Sequence, residues 1–474
     1  MTQQDFGPAW MRGRRGYIGA AMAVLVLVVL VVARFASPAE VAVAETAAPN
    51  EALPVVVDTT PAVDSAAIAD SIAAADSAAG PSIVMADASP EELFDFPPIT
   101  DGVPRMRRPA VVKGLYLNAW AAGSDRKLDR LIDIANRTEI NAFVIDVKEG
   151  GEVSYRSRVP LVRAIGADRQ YIANPREMLR KLRENGIYPI ARIVVFKDGN
   201  LAKARPDWAV QHVDGGDWLD ADGYRWVDSF NRNVWDYNIA IAREALELGF
   251  AEVQWDYVRF PDVPQSLMRL ASWPAAEGRT KADGIRDFLK YSQEQLAEYD
   301  VEVTADVFGL TTSARSDMGI GQLWEKMSDV TDVLLPMVYP SHYVRGSYGL
   351  PHPNAAPYET VKTALEHAVR RNEGIENPAT VRAWLQDFTL GEPEYGPAHV
   401  RAQIDAVYDA GLKEWVLWHP GSNYTVEALA TEDGVVPDLP RPGVEVEEDT
   451  SRQRAPLGTP IRRSGGAVPD TSQG

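Results

Sequence analysis

Eight times between residues 111 and 431, a short run rich in β-branched and other apolar residues is followed by a stretch whose apolar positions recur at helical spacing. The strand candidates are residues 112–117, 142–148, 188–196, 252–258, 301–307, 333–338, 381–385 and 415–418. Their helical partners fall near 126–137, 175–185, 234–248, 284–299, 321–328, 358–371, 397–410 and 426–430. Strands joined through crossover helices must run parallel, so this alternation predicts an α/β fold. Eight units over roughly 320 residues match a (β/α)8 TIM barrel with insertions. A doubly wound open sheet, the main rival, carries a glycine-rich phosphate turn after its first strand. KGLYLNAWAAG, beginning at Lys113, has no such turn.

The barrel segment, 109–431, lies between flanks of different character. Arg12, Arg14 and Arg15 precede an apolar run from 17 to 33. Its length is at the short limit for a spanning helix and exceeds the apolar core of most cleaved signals. Residues 1–36 are therefore expected to be a cytoplasmic amino terminus with a membrane anchor, the barrel lying outside the cytoplasm by the positive-inside tendency. Cleavage after Ala42-Val43-Ala44 would instead release a secreted or periplasmic protein. Residues 37–108 are rich in Ala, Pro, Asp and Ser, a mixture too poor in large apolar groups to offset ordering entropy, and read as a disordered acidic tether. Residues 432–474 read as a disordered tail.

A formal charge of −19 argues against nucleic acid and anionic lipid surfaces as partners. With no cysteine there is no thiolate nucleophile, disulfide or zinc–thiolate site, and the six histidines include no HxH or HExxH spacing, so neither a metal nor another cofactor is expected.

Ligands bind at the carboxyl ends of barrel strands, where polar residues beyond the last apolar one project over the mouth. The first strand ends in Asn118 and Trp120. The second runs AFVIDVKEG and, by strict alternation, puts Asp146 and Lys148 on one face. The fourth presents Gln254 and Asp256, with Arg259 just beyond, and the fifth presents Thr304 and Asp306. The sixth ends in Tyr339 and His342, the seventh in Gln386 and Asp387, and the eighth in Trp418 and His419.

Four of these segments, FVIDVK, QWDYVRFP, TADVFG and PMVYPSHY, resemble in order the bacterial glycoside hydrolase-like domains built on a (β/α)8 barrel. The likeness covers nearly all of 111–431. It implies that Asp256 and Asp306 are the carboxylates of a glycosidase-like centre.

Cleaving a glycosidic bond needs one carboxylic acid to protonate the leaving oxygen and one carboxylate to stabilise or attack the anomeric carbon. Asp256 and Asp306 belong to consecutive strands and are the expected pair, at a spacing that alternation alone leaves open between the retaining and inverting ranges. Asp256, with Arg259 and two rings nearby, reads as the ionised nucleophile or stabiliser. Asp306, beside Val307 and Phe308, reads as the desolvated acid. Asp146 is a third carboxylate that Lys148 would orient. Asn118, Trp120, Arg259, Tyr339, His342, Gln386, Trp418 and His419 complete the expected substrate-binding set.

Sugar rings stack their apolar faces on aromatics, and Trp226, Trp235, Trp255, Tyr339, Trp384 and Trp418 are candidate platforms. Of these, Trp418 is expected to face the site and Trp235 to be structural. The long segment 198–233 is expected to roof the pocket. The leading expectation is a glycoside hydrolase acting on an extracytoplasmic or cell-envelope polysaccharide. A non-catalytic glycan-binding barrel is the alternative. A barrel lyase or aldolase using Lys148 as a Schiff-base amine is the third reading.

Overall fold

Eight parallel strands close into a barrel in the computed structural model, which describes residues 83–442. They are β1 (Lys113–Leu117), β2 (Ala142–Glu149), β3 (Tyr188–Val194), β4 (Glu252–Asp256), β5 (Glu302–Phe308), β6 (Val333–Met337), β7 (Thr380–Gln386) and β8 (Glu414–Trp418). Each pairs with the next, and β8 returns to β1 through Leu417 opposite Leu115, so no barrel strand has an unpaired edge. The predicted barrel is therefore observed, with strand ends shifted by a few residues. At β4 the shift has a local cause, because Tyr257 adopts φ +48° and turns the chain out of the ladder immediately after Asp256.

Among the described residues, the helices that correspond to the expected crossovers are α1 (Asp125–Arg137), α2 (Pro175–Glu184), α3 (Arg232–Leu248), α4 (Lys281–Leu296), α5 (Trp324–Ser328), α6 (Pro357–Asn372) and α7 (Pro397–Asp409). In α1, Leu128, Leu131, Ile132 and Ala135 form one buried stripe at helical spacing. α4 starts three residues before its expected position because Thr280 and Asp283 form a capping box. The expected eighth helix is only a 3₁₀ turn, Val426–Ala428.

Alternation along the strands divides the apolar residues into two groups. Leu115, Phe143, Ile145, Ile193, Val253, Trp255 and Ala305 pack outward in the layer shared with the helices. Tyr116, Val144, Ile190, Leu335, Trp384 and Val416 fill the lumen. Ionic clusters lie at both ends of that apolar plug. At the amino end, Arg382 donates to Glu252 (2.6 Å) and Glu414 (3.1 Å), while Arg108 pairs with Glu302 (2.6 Å) and Glu414 (2.7 Å). At the carboxyl end Arg192 occupies the corresponding position.

The expected tether does not extend to Arg108. Residues 83–108 include a short helix, Pro90–Phe94, whose Leu93 and Phe94 are buried, and Phe94 packs on Trp208 at 6.3 Å. The Val103 amide donates to Leu248 O (2.9 Å), and Ile99 donates to the Glu247 carboxylate (2.8 Å). This approach requires glycine, since a Cβ at Gly102 would lie 1.9 Å from Glu247 O. A few buried side chains and one glycine thus order a segment whose average composition suggested none; burying one such side chain is worth about 1.5–3 kcal/mol. The expected tail is likewise packed at its start, where Glu432 donates to Arg137 O (3.1 Å) and Arg441 lies 4.0 Å from the centre of the Tyr358 ring. The apolar run expected to anchor the chain, 17–33, lies outside the described residues. Among the described residues no helix is long and apolar enough to cross a membrane.

Candidate active site

The carboxyl end of the barrel is organised around Arg192, the third inward residue of β3 after Tyr188 and Ile190. Its Nε and one terminal nitrogen donate to Asp256 Oδ2 at 2.9 and 2.5 Å. The other terminal nitrogen donates to Asp146 (2.5 Å) and Glu149 (2.6 Å). One guanidinium thus links carboxylates from β2 and β4, a geometry suited to its planar fork. Asp146 also accepts from Tyr116 Oη (2.6 Å), and Asp256 Oδ1 accepts the Tyr257 amide (2.5 Å). Burial raises the Asp146 carboxyl to about 6, with Glu149 adding to the effect and Arg192 opposing it.

Asp306, on β5, accepts from Gln254 Nε2 (2.9 and 3.0 Å) and Trp384 Nε1 (2.6 Å). Burial is the main cause lifting its carboxyl well above the usual range, and the nearby Asp256 carboxylate adds to the rise, while Arg192, Trp384 and Gln254 oppose it. The Gln254 oxygen is buried with no hydrogen-bond partner. Asp256 is 5% exposed and Asp306 1% exposed, so Asp256 is the nearer to solvent of the two.

An aromatic wall stands beside these carboxyls. The Trp418 ring lies 5.9 Å from Tyr116, 5.8 Å from Tyr339 and 5.1 Å from Phe388, and His342 lies 5.3 Å from Tyr339. Burial raises the Tyr339 phenol, and the charges of Asp306 and Asp256 add to the rise.

Several residues expected in the site are engaged elsewhere. Lys148 is sealed beneath the rim, because the β2–β3 register slips between Asp146 and Lys148 and sends it away from the Asp146 face. Its ammonium pairs with Asp198 (2.7 Å) and donates to Val194 O (2.7 Å) and Asn238 Oδ1 (3.0 Å). It neither orients Asp146 nor reaches a substrate, which removes the basis of the Schiff-base reading. Arg259 does not touch Asp256; its guanidinium lies 4.7 Å from the centres of both the Tyr257 and Phe308 rings. The guanidinium bonded to Asp256 is that of Arg192 instead.

Asn118 caps the short helix Ala119–Gly123 by accepting from the Ala121 amide (2.8 Å) and donates to Pro420 O (2.9 Å). Gln386 accepts from the Ser341 amide (3.1 Å) and donates to Phe388 O (2.9 Å), tying two rim loops together. His419 accepts from the Gly421 amide (3.0 Å) and closes a turn. Trp120 stands on the outer rim, 54% exposed, with its ring 4.5 Å from Tyr171. Of the other candidate platforms, Trp235 and Trp255 pack on Phe288 in the helix layer, and Trp384 lies in the lumen. Trp226 reaches Tyr257 (6.1 Å) from the long 198–233 segment, which therefore borders the site on the β4 side. Among the described residues no group of His, Asp or Glu is placed to hold a metal ion.

Two residues at the centre of this network, Arg192 and Trp384, had different visibility in the sequence. Trp384 was a candidate platform but serves as a hydrogen-bond donor to Asp306. Arg192 was missed, although the alternation Tyr188, Ile190, Arg192 directs it inward.

No curated protein matches the chain. A structure of a hypothetical protein from Ruminiclostridium thermocellum is 43% identical, covering 41% of this chain and 97% of its own, with a TM-score of 0.38. The PgaB (BpsB) glycoside hydrolase domain from Bordetella bronchiseptica is 14% identical over 66% of this chain and 95% of its own, with a TM-score of 0.48. The glycoside hydrolase domain of PelA from Pseudomonas aeruginosa is 13% identical over 67% and 97%, with a TM-score of 0.38. Residues 114–424 match the family described as "Putative glycosyl hydrolase domain", and the chain belongs to that family.

Proposed function

We propose that this protein hydrolyses O-glycosidic bonds of an extracytoplasmic or cell-envelope polysaccharide at the mouth of its barrel, without a cofactor. The observation that carries this reading is the unequal treatment of two neighbouring carboxyls. Asp256 accepts a charge-assisted fork from Arg192, whereas Asp306 is desolvated and pushed toward its protonated form. Glycoside hydrolysis requires one carboxylate and one acid, and an arginine pair at one group with a desolvated setting at the other supports that division of roles. Asp256 then serves as the nucleophile or charge stabiliser, and Asp306 protonates the leaving oxygen. Asp146 and Tyr116 hold Arg192 in place from the opposite side, and Tyr339 and Trp418 offer a face for the sugar ring.

Full-length protein should release reducing ends from at least one bacterial polysaccharide in a screen. Asp256→Asn should abolish release while glycan retardation in affinity electrophoresis persists. Release at the wild-type rate by that variant would reject the role given to Asp256.

The second reading is a barrel that binds envelope glycan without cleaving it. The near-complete burial of Asp306 favours it, because an acid must reach the leaving oxygen. Retardation by a glycan together with no product from any glycan would decide for it.

A further inference from the structure

Two cations beside the mouth are not used by the carboxylate network. Lys197 follows β3, with its ammonium 4.5 Å from the centre of the Tyr224 ring and 5.3 Å from that of Tyr257. Arg259 follows β4, 4.7 Å from the same Tyr257 ring and 5.3 Å from Trp226. Among the described residues Lys197 makes neither an ion pair nor a hydrogen bond. Arg259 makes a single hydrogen bond, to Phe260 O (3.0 Å), and none of its nitrogens is both sealed and unpartnered, so its remaining N–H groups face solvent. Asp262 lies within the field of Arg259 but is not bonded to it. Glu149 and Asp256 are already bonded to Arg192.

Tyr257 connects this pair to the proposed chemistry. Its αL backbone follows Asp256 directly, and its phenol lies within the fields of Arg259, Glu149, Asp256 and Arg192. Tyr224, 47% exposed on the long 198–233 segment, adds an open aromatic face beside Lys197.

Resting on the hydrolase reading, we infer that Lys197 and Arg259, with the rings of Tyr224 and Tyr257, form a subsite for a carboxylate-bearing sugar next to the residue cleaved at Asp256. A planar carboxylate matches the free edge of a guanidinium, and a neighbouring ammonium supplies a second charge-assisted contact. The apolar face of the same sugar can stack on an exposed tyrosine. The chain's formal charge of −19 does not oppose this at close range, since charges beyond about 8 Å are largely screened at physiological salt. Uronic acids carry the carboxylate on the ring carbon chain and muramic acid carries it on a lactyl ether. Both offer the chemistry the subsite requires.

Calorimetric titration of the full chain with polygalacturonate oligosaccharides, a muramic-acid disaccharide, neutral gluco-oligosaccharides and chitosan oligosaccharides tests the inference. At least one acidic ligand should bind more tightly than the neutral and cationic ones, and more weakly as salt rises. Lys197→Met and Arg259→Gln should each weaken that binding about tenfold, as expected for loss of one charge-assisted contact. Lys197→Arg should retain it, and thermal melting will show that the variants are folded. Equal binding of acidic and neutral ligands, no binding of either acidic ligand, or unchanged binding by both variants overturns the subsite. The hydrolase reading fails separately. An acidic ligand held through both cations but cleaved by no form removes the chemistry and leaves the subsite, whereas a neutral glycan cleaved equally by wild type and both variants does the reverse.

Discussion

Replacing Arg192 by Met should destabilise the barrel in a pH-dependent way. The side chain is buried and bonds Asp146 and Asp256, both buried, together with the half-exposed Glu149. Methionine preserves much of the apolar stem and removes the charge, leaving two buried carboxylates without their counter-ion. Breaking a buried pair in this way costs about 3–5 kcal/mol. Unfolding entropy near 2.1 cal/mol/K per residue, over the roughly 360 described residues, amounts to about 0.76 kcal/mol/K. The melting temperature at pH 8 should therefore fall by about 4–7 °C. At pH 5 the Asp146 carboxyl, raised to about 6, is largely protonated, and less charge is stranded, so the loss should shrink. Arg192→Lys keeps the charge without the fork and should fall between wild type and Met. Scanning calorimetry at both pH values gives the answer. A wild-type melting temperature for Arg192→Met at pH 8, or an equal loss at pH 5 and pH 8, would refute the assignment of Arg192 as the counter-ion of this cluster.

Two further outcomes follow from other buried carboxyls. The Trp384 indole stabilises the charged form of Asp306, so Trp384→Phe should raise that carboxyl further. The alkaline limb of any hydrolytic pH profile, set by loss of the Asp306 proton, should then move to higher pH; a shift to lower pH would contradict the proton assignment. Glu244, on α3, is raised by burial from 4.5 to about 7 although Ser157 and the Arg158 amide donate to it. A carboxyl raised in the folded state contributes stability fully below its unfolded value and loses it as pH climbs through the folded one. Roughly 3 kcal/mol should thus be lost between pH 4.5 and pH 8, and urea unfolding of Glu244→Gln should show a flatter dependence across that window; an equally steep decline would reject Glu244 as the source.

The barrel was legible because its strands alternate with helices at regular intervals and because β1 lacks a phosphate-binding turn. Alternation also placed Gln254 beside Asp256 and Thr304 beside Asp306. It failed at Lys148, where a slip in the β2–β3 ladder breaks the period of two, and such a slip leaves no mark in AFVIDVKEG. Arg192 was readable in principle, since YPIARIV carries it two positions beyond Ile190, yet an arginine inside an apolar strand attracts less notice than an acid at its end. The cap at Asn118 and the loop tie at Gln386 are polar rim residues whose partners lie up to 302 positions away in sequence, beyond the reach of any local pattern. The strap at 83–108 escaped because Leu93, Phe94 and Gly102 are few within an otherwise tether-like composition.

In the proposed function, Asp306 delivers a proton to a leaving glycosidic oxygen beside the Asp256 carboxylate. Hydrolysis by Asp306→Asn, measured on the polysaccharide found to be cleaved and on an aryl glycoside of the same sugar with an activated leaving group, tests it most directly. Turnover should fall by about 10²–10⁴ on the polysaccharide and much less on the aryl glycoside, which needs little protonation. Wild-type turnover of the polysaccharide by Asp306→Asn, or equal losses on the two substrates, would contradict it.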